Sequence, residues 1–163
     1  MTAPSDRPLW QLHQQLQSRT FTDLTHAFFP GMPHFPAFPD EVRTQTFQVD
    51  PDGFAVHRYE LVGQWGTHCD PPSHFVDGAR TIDDIPVQQM ILPLVVLDIS
   101  DRGRADPDAV PTLDDVAAWE RRNGPMPAGC FVALRTDWHQ RWPDTGAMAN
   151  HDDAGVSHVP GWS

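Results

Sequence analysis

The stretch ILPLVVLDI at residues 91–99 decides the fold of this chain. An almost continuous apolar run of this length is typical of a strand that is buried on both faces. Thr112 caps a predicted helix over Leu113–Asn123, which ends before Gly124. A second apolar run, CFVALR at residues 130–135, predicts another buried strand. Strand, helix and strand in this order form a right-handed crossover with parallel strands, so we expect an α/β domain with a mixed sheet.

The sequence upstream of this unit predicts a hairpin and a helix. The β-rich runs Thr44–Val49 and Phe54–Leu61 flank DPDG at residues 50–53, which is a strong turn signal. Phe21–His26 reads as a further short strand, and the Pro-rich and Phe-rich residues 28–39 read as a rigid loop. Apolar spacing predicts an amphipathic helix over residues 5–19, capped by Ser5 or Asp6. We find no linker, so residues 1–163 are expected to form a single domain.

Charge and composition exclude several classes of function. The 163 residues carry 22 acidic and 11 basic side chains, a formal charge of −11. This field repels phosphate, so no nucleic-acid or membrane partner is expected. Every basic residue is arginine, and the absence of lysine excludes Schiff-base chemistry and a P-loop lysine. With two isolated cysteines and no run of about 18 apolar residues, we expect a cytoplasmic protein without a disulfide framework.

The segment that carries chemistry is GQWGTHCDPPSHF at residues 63–75. In an extended backbone Gln64, His68 and Asp70 would share one face. Imidazole nitrogen and carboxylate oxygen are ligands that zinc or manganese accepts. The turn imposed by Pro71 and Pro72 could return His74 toward the same point. A His-x-Asp pair can also be an ordinary hydrogen-bonded turn, and the spacing alone leaves both interpretations open.

The pattern Gly66-Thr67-His68-x-Asp70-x-x-x-His74 resembles the signature of the cyclase family of hydrolases, which includes kynurenine formamidases and isatin hydrolases. Further matches lie at residues 23–25 (DLT), 30–33 (PGMP), 84–86 (DIP) and 135–138 (RTDW). The likeness runs from about residue 21 to residue 163. It implies a swivelling β/β/α domain, which agrees with the α/β class inferred from the apolar runs.

The resemblance also implies a reaction. It makes His68 and Asp70 ligands of a divalent metal, Zn or Mn, and His74 the proton donor and acceptor. The implied activity is arylformamidase-like hydrolysis of a small amide or formamide, with a lactone or another cyclic amide as further possibilities. Trp65, Phe28 and Phe35 would wall an aromatic substrate pocket, although aromatic residues are equally often core. Family members are commonly homo-oligomers, and the same is expected here.

Two departures from the family pattern matter. Gln64 stands where the family has its first histidine ligand, and an amide oxygen is a weaker ligand for zinc. The family's further histidine and glutamate ligands would lie beyond Ser163, so we expect the C-terminal part of the domain to be missing. His151 and His158 match neither ligand and are predicted to be surface-loop residues. The alternatives are a truncated, non-catalytic chain with a partial metal site and a binding module without hydrolysis.

Overall fold

The structure is a computed structural model that describes residues 8–162. Its helices are α1 (Pro8–Gln17), α2 (Val49–Asp52), α3 (Ser100–Ala105), α4 (Leu113–Asn123) and α5 (Thr145–Ala149). Its strands are β1 (Val42–Phe47), β2 (Val56–Glu60), β3 (Leu94–Asp98) and β4 (Phe131–Arg135). Short 3-10 helices lie at Pro72–His74, Ile82–Asp84, Val87–Met90 and Trp138–Arg141.

The predicted N-terminal helix is confirmed as α1 within the described residues. The proposed caps Ser5 and Asp6 lie outside them. Every residue of α1 is exposed, including the apolar side chains Leu9, Leu12 and Leu16 that predicted it. No element within residues 8–162 therefore covers the apolar face of this helix. None of the described helices is long and apolar enough to cross a membrane.

The predicted hairpin is confirmed as β1 and β2, which pair antiparallel. Val42 lies opposite Glu60, so β1 begins two residues earlier than expected. The single turn α2 and Gly53 join the strands, and Gly53 adopts the left-handed φ of 83°. Glycine enters this region without steric cost, which is why the DPDG signal was informative. The hairpin delivers the chain directly into the segment that carries the chemistry.

The crossover unit is confirmed as β3, α4 and β4, with the two strands parallel and Leu94 opposite Phe131. Helix α4 begins at a capping box, in which Thr112 Oγ1 accepts from the Asp115 amide and Asp115 Oδ2 accepts from the Thr112 amide. It ends before Gly124, at φ 88°. These local signals lie within a few residues of the helix ends, so sequence alone located both.

Burial of β4, expected from its apolar run, is wrong, because none of its residues is buried and Phe131 is exposed. Burial of β3 on both faces, expected from its apolar sequence, is also wrong for the described residues. Val95 and Leu97 are buried, whereas the alternate side chains Leu94 and Val96 are exposed. Val96 and Trp119 of α4 both line an open cleft of about 570 Å³. Composition reveals that a strand is apolar, but the packing of neighbouring elements decides how many of its faces are covered.

The predicted α/β class is confirmed, with both strand orientations present. Antiparallel β1 and β2 form one sheet, and parallel β3 and β4 form another. The strand expected at Phe21–His26 is wrong: this segment is irregular, and Phe21 and Leu24 are exposed. A β-rich sequence forms a strand only where a partner supplies ladder hydrogen bonds, and none pairs here among the described residues.

Candidate metal site

The segment from Gln64 to His74 turns instead of running extended. Residues 63–67 form turns and bends. The expectation that Gln64, His68 and Asp70 share one face of an extended backbone is therefore wrong, because the backbone is not extended there. The cause is Gly66, whose φ of 67° lies in the left-handed region. A Cβ at this position would stand 3.0 Å from Met32 Cε and 3.3 Å from Phe28 Cδ2. Glycine is therefore required both by the backbone and by the space.

Trp65 anchors this turn to the preceding loop. Its side chain is 3% exposed, and its indole N–H donates to the carbonyl of Pro39 at 3.2 Å. The His34 ring stacks on it with centroids 4.7 Å apart, and Phe28 packs against it at 5.6 Å. Nδ1 and Nε2 of His34 lie 3.0 and 3.1 Å from Phe35 O and Asp40 Oδ1, which fixes the stacked ring.

Two hydrogen bonds fix the next two residues. The backbone N–H of His26 donates to Thr67 Oγ1 at 3.1 Å. His68 Nδ1 lies 2.8 Å from the carbonyl of Gly66, which can only accept, so Nδ1 carries the proton. In the neutral ring, the form that binds a metal, the lone pair of His68 is therefore on Nε2. A backbone carbonyl that fixes the tautomer in this way is the usual support of a metal-ligating histidine.

His68 Nε2 faces Asp70, with 3.4 Å to Oδ2. Pro71 is extended, and the 3-10 turn Pro72–His74 begins directly after it, with the His74 amide bonded to the Pro71 carbonyl. This turn returns His74, placing its Nδ1 4.0 Å from Asp70 Oδ1. The side chains of His68, Asp70 and His74 are each 32% exposed, which leaves the group open to a ligand.

Gln64 joins the group through His74. Its amide nitrogen lies 3.4 Å from His74 Nδ1. An amide N–H can only donate, so this contact leaves the His74 ring proton on Nε2. The structure thus brings together the four polar residues expected from the sequence. Their roles as ligands and proton carrier stay predictions.

The donor set fits a divalent ion in its chemistry. Two ligands held about 2.0–2.1 Å from one tetrahedral ion lie about 3.3 Å apart, close to the 3.4 Å between His68 Nε2 and Asp70 Oδ2. A direct N–H···O bond would ordinarily be shorter, about 2.9 Å. Within residues 8–162, however, no three His, Cys, Asp or Glu side chains are grouped as a metal site. The described residues therefore bring together one imidazole nitrogen and one carboxylate, and Gln64 as a neutral third ligand stays a prediction.

The aromatic residues divide between two places. Phe28 lies beside Gly66 and Trp65 and keeps part of its ring exposed. Phe35 pairs with Phe38 and lines a cleft of about 610 Å³ that includes none of the four polar site residues. Trp65 offers a ligand little surface because it is buried. Of the three rings predicted to wall a substrate pocket, the structure therefore places Phe28 beside the site with exposed surface, whereas Trp65 is buried and Phe35 lines another cleft.

Carboxylates also gather at the carboxyl ends of the parallel strands. Asp98 accepts from the Ser100 amide, and Arg135 bonds to both Asp98 and Asp137. The Ser100 hydrogen bonds, followed by the Arg135 charge, hold the pKa of Asp98 below its ordinary value. Hydrogen bonding by Arg135 likewise lowers the pKa of Asp137. These carboxylates serve as turn and ion-pair groups.

Sequence reasoning missed the histidines that support the site. His34 stacks on Trp65 across 31 positions, and the His26 ring stacks on Trp142 with centroids 4.3 Å apart. Neither contact has a local sequence signal, because each joins segments that meet only in the folded chain. The one available hint was the placement of both residues in or beside the Pro-rich loop.

A family model and a curated relative match this chain. The model of the Cyclase family, described as "Putative cyclase", matches residues 22–163. An isatin hydrolase from Roseibium aggregatum is 38% identical over 120 residues. The match spans 70% of this chain and 45% of that protein, so less than half of the relative is represented.

Two solved structures of isatin hydrolases have the same fold as this chain. The crystal structure of an isatin hydrolase bound to the product analogue thioisatinate superimposes with a TM-score of 0.82 and 34% identity, covering all of this chain and 67% of that one. Isatin hydrolase A from Ralstonia solanacearum superimposes with a TM-score of 0.84 and 29% identity, with the same coverage. The fold described above is therefore that of these hydrolases over the shared length.

Proposed function

We propose, because this chain belongs to the Cyclase family, that it is a metal-dependent hydrolase that cleaves the C–N bond of a small amide. The observation that carries the proposal is the group formed by His68 and Asp70, with donor atoms 3.4 Å apart and the His68 tautomer fixed by Gly66. Zn or Mn is the ion that this nitrogen and oxygen donor set favours.

His68, Asp70 and the Gln64 amide oxygen would hold the ion. A divalent ion at such a site polarises a carbonyl and lowers the pKa of a water molecule. The chain's own contribution is to keep Nε2 of His68 free as a donor and to place His74 beside it. The Gln64 amide directs the His74 proton to Nε2, from which it can pass to a departing nitrogen.

The substrate class follows from the neighbours of the site. Phe28, partly exposed beside Gly66, favours a small aromatic ligand. The similar proteins named isatin hydrolase make a cyclic amide such as isatin the first compound to test, and an arylformamide such as N-formylkynurenine the second. Hydrolysis of either compound would be consistent with the proposed C–N cleavage and would separate the two specificities.

The test is an activity assay on metal-loaded protein with both compounds. His74→Ala is expected to keep the metal and to lose turnover by about 10²–10⁴-fold, the usual contribution of a general acid or base. His13→Ala, on the exposed helix α1, is the matched control and should leave turnover unchanged. Equal turnover in His74→Ala and wild type would remove His74 from the mechanism.

A second candidate is a non-catalytic chain with a partial metal site. It is favoured by one observation: within residues 8–162, no three His, Cys, Asp or Glu side chains lie close enough together to hold one metal ion. This candidate predicts weak metal binding that depends on His68 and Asp70, without hydrolysis of either compound after metal loading. Turnover that disappears on chelation would exclude it.

A further inference from the structure

The His158 ring lies between two carboxylates that contact different ring nitrogens. Nδ1 lies 2.9 and 2.8 Å from Oδ1 and Oδ2 of Asp108, a residue fifty positions earlier in the chain. Nε2 lies 3.5 Å from Asp152 Oδ2. The ring therefore connects the loop at residues 150–158 to the segment that follows α3.

The Asp108 carboxylate only accepts hydrogen bonds, so its short contacts place an N–H on Nδ1 of His158. The Asp152 carboxylate, 3.5 Å from Nε2, is an ion-pair partner that favours a second N–H on that nitrogen. A neutral imidazole has one N–H, and only the imidazolium has two. In the neutral form one nitrogen lone pair must face a carboxylate. Both carboxylates are thus paired with a positive ring only while His158 carries a proton on both nitrogens.

We propose that His158, Asp108 and Asp152 form a proton-dependent clamp that holds residues 150–158 onto the segment 106–110. The clamp is closed when His158 is an imidazolium and loosens when the ring becomes neutral. This device is separate from the candidate metal site, since it contains none of its residues. The two carboxylates use opposite nitrogens of the ring, so the three side chains do not converge on one point as metal ligands would.

The clamped loop is a tight hairpin. His151 and Ser157 form an antiparallel bridge, and Asp152 Oδ1 accepts from the amides of Ala154 and Val156. The backbone N–H of His158 donates to the Asn150 carbonyl, which closes the hairpin at its base. Asp152 therefore serves both the hairpin turn and the clamp, so loss of its contact to His158 acts on the hairpin directly.

The arginines on the elements near the His158 ring are paired with other groups, so Asp108 and Asp152 are free to pair with the ring. On α3, which packs against Pro160, Arg102 is paired with Asp115 and Arg104 with Asp101. Arg141, beside α5, donates to Ala147 O and to Asn150 Oδ1. These cations are engaged elsewhere, and none is a partner of the two clamp carboxylates.

The direction of the pH effect follows from the partners. The hydrogen bond to Asp108, and then that to Asp152, raises the pKa of His158 above its ordinary value. Because the pKa is raised in the folded chain, the clamp stabilises the closed hairpin fully at pH values below the unfolded pKa of about 6.5. Its contribution is lost as the pH rises through the higher folded pKa.

The clamp has a consequence for a cleft. His151, Gly155 and Ser157 of the hairpin line the cleft of about 610 Å³ together with residues 33–37. His34 in that segment stacks on Trp65. Opening of the clamp therefore loosens one wall of this cleft.

The test is amide hydrogen exchange of the full chain, measured by mass spectrometry on peptides covering residues 150–160. Rates at pH 5.5 and 8.5 are corrected for the intrinsic pH dependence of exchange. In wild type we expect protection to fall with pH, by up to tenfold for each unit that separates the folded and unfolded pKa of His158. His158→Gln should remove this dependence, and His151→Gln, in the same hairpin, should keep it.

A second measurement does not depend on the folding of a variant. In a nuclear magnetic resonance titration of wild type, the His158 ring should titrate above the ordinary histidine pKa of about 6.5, and Asp108→Asn should lower the His158 value. Wild-type protection that is independent of pH would overturn the proposal. So would unchanged pH dependence in His158→Gln, or a His158 pKa no higher than the ordinary value of about 6.5.

Discussion

Replacement of Gly66 by alanine tests how the turn at residues 63–67 builds the candidate site. The residue sits at φ 67°, and the left-handed region costs an L-residue about 1–2 kcal/mol. The new Cβ would also stand 3.0 Å from Met32 Cε, and Met32 is buried and has little room to move. Overpacking of this kind costs about 1–3 kcal/mol. We expect Gly66→Ala to lower the free energy of unfolding by about 2–5 kcal/mol.

Two other glycines separate the backbone cost from the packing cost. Gly53 has φ 83° with no atom near a Cβ, so Gly53→Ala should lose only about 1–2 kcal/mol. Gly63 has neither a positive φ nor a close neighbour, and Gly63→Ala should be neutral or stabilising by at most about 1 kcal/mol. Urea unfolding followed by tryptophan fluorescence gives all three values. A loss in Gly66→Ala no larger than that in Gly53→Ala would refute the packing part of the reasoning.

Three further predictions concern the scaffold. Thr112→Ala should lower the stability by about 1 kcal/mol, because it removes the cap of α4, as measured by urea unfolding. Arg102 and the Thr112 amide lower the pKa of Asp115 in the folded chain. The Asp115 carboxylate therefore stabilises the fold above its unfolded pKa of about 3.9, and this stabilisation is lost as the pH falls through its folded pKa. The stability difference between wild type and Asp115→Asn should therefore shrink on acidification, and a constant difference from pH 7 to pH 2 would contradict this. The exposed apolar side chains of α1 predict self-association, and a monomeric mass by light scattering at high concentration would argue against it.

The sequence predicted those parts of the fold that have local causes. The Thr112 cap, Gly124 and the DPDG turn each act within a few residues, and α4 and the hairpin β1–β2 appeared where expected. Burial of β3 on both faces and a strand at Phe21–His26 depend on partners elsewhere in the chain, and both expectations were wrong. Composition does not contain that information.

The candidate site shows the same division. The identities of His68, Asp70 and His74 could be read from one short motif, and the structure brings their side chains together. The extended backbone assumed for Gln64 to Asp70 does not occur, because Gly66 turns the chain. The stacking of His34 on Trp65 joins distant segments and has no local signal.

Calorimetric titration of the purified, metal-free chain with Zn²⁺ and Mn²⁺ tests the central claim most directly. We predict that wild type, His74→Ala and the control His13→Ala bind one of these ions, and that His68→Ala and Asp70→Ala lose this binding. Equal binding by Asp70→Ala and wild type would contradict the assignment of the metal site to His68 and Asp70.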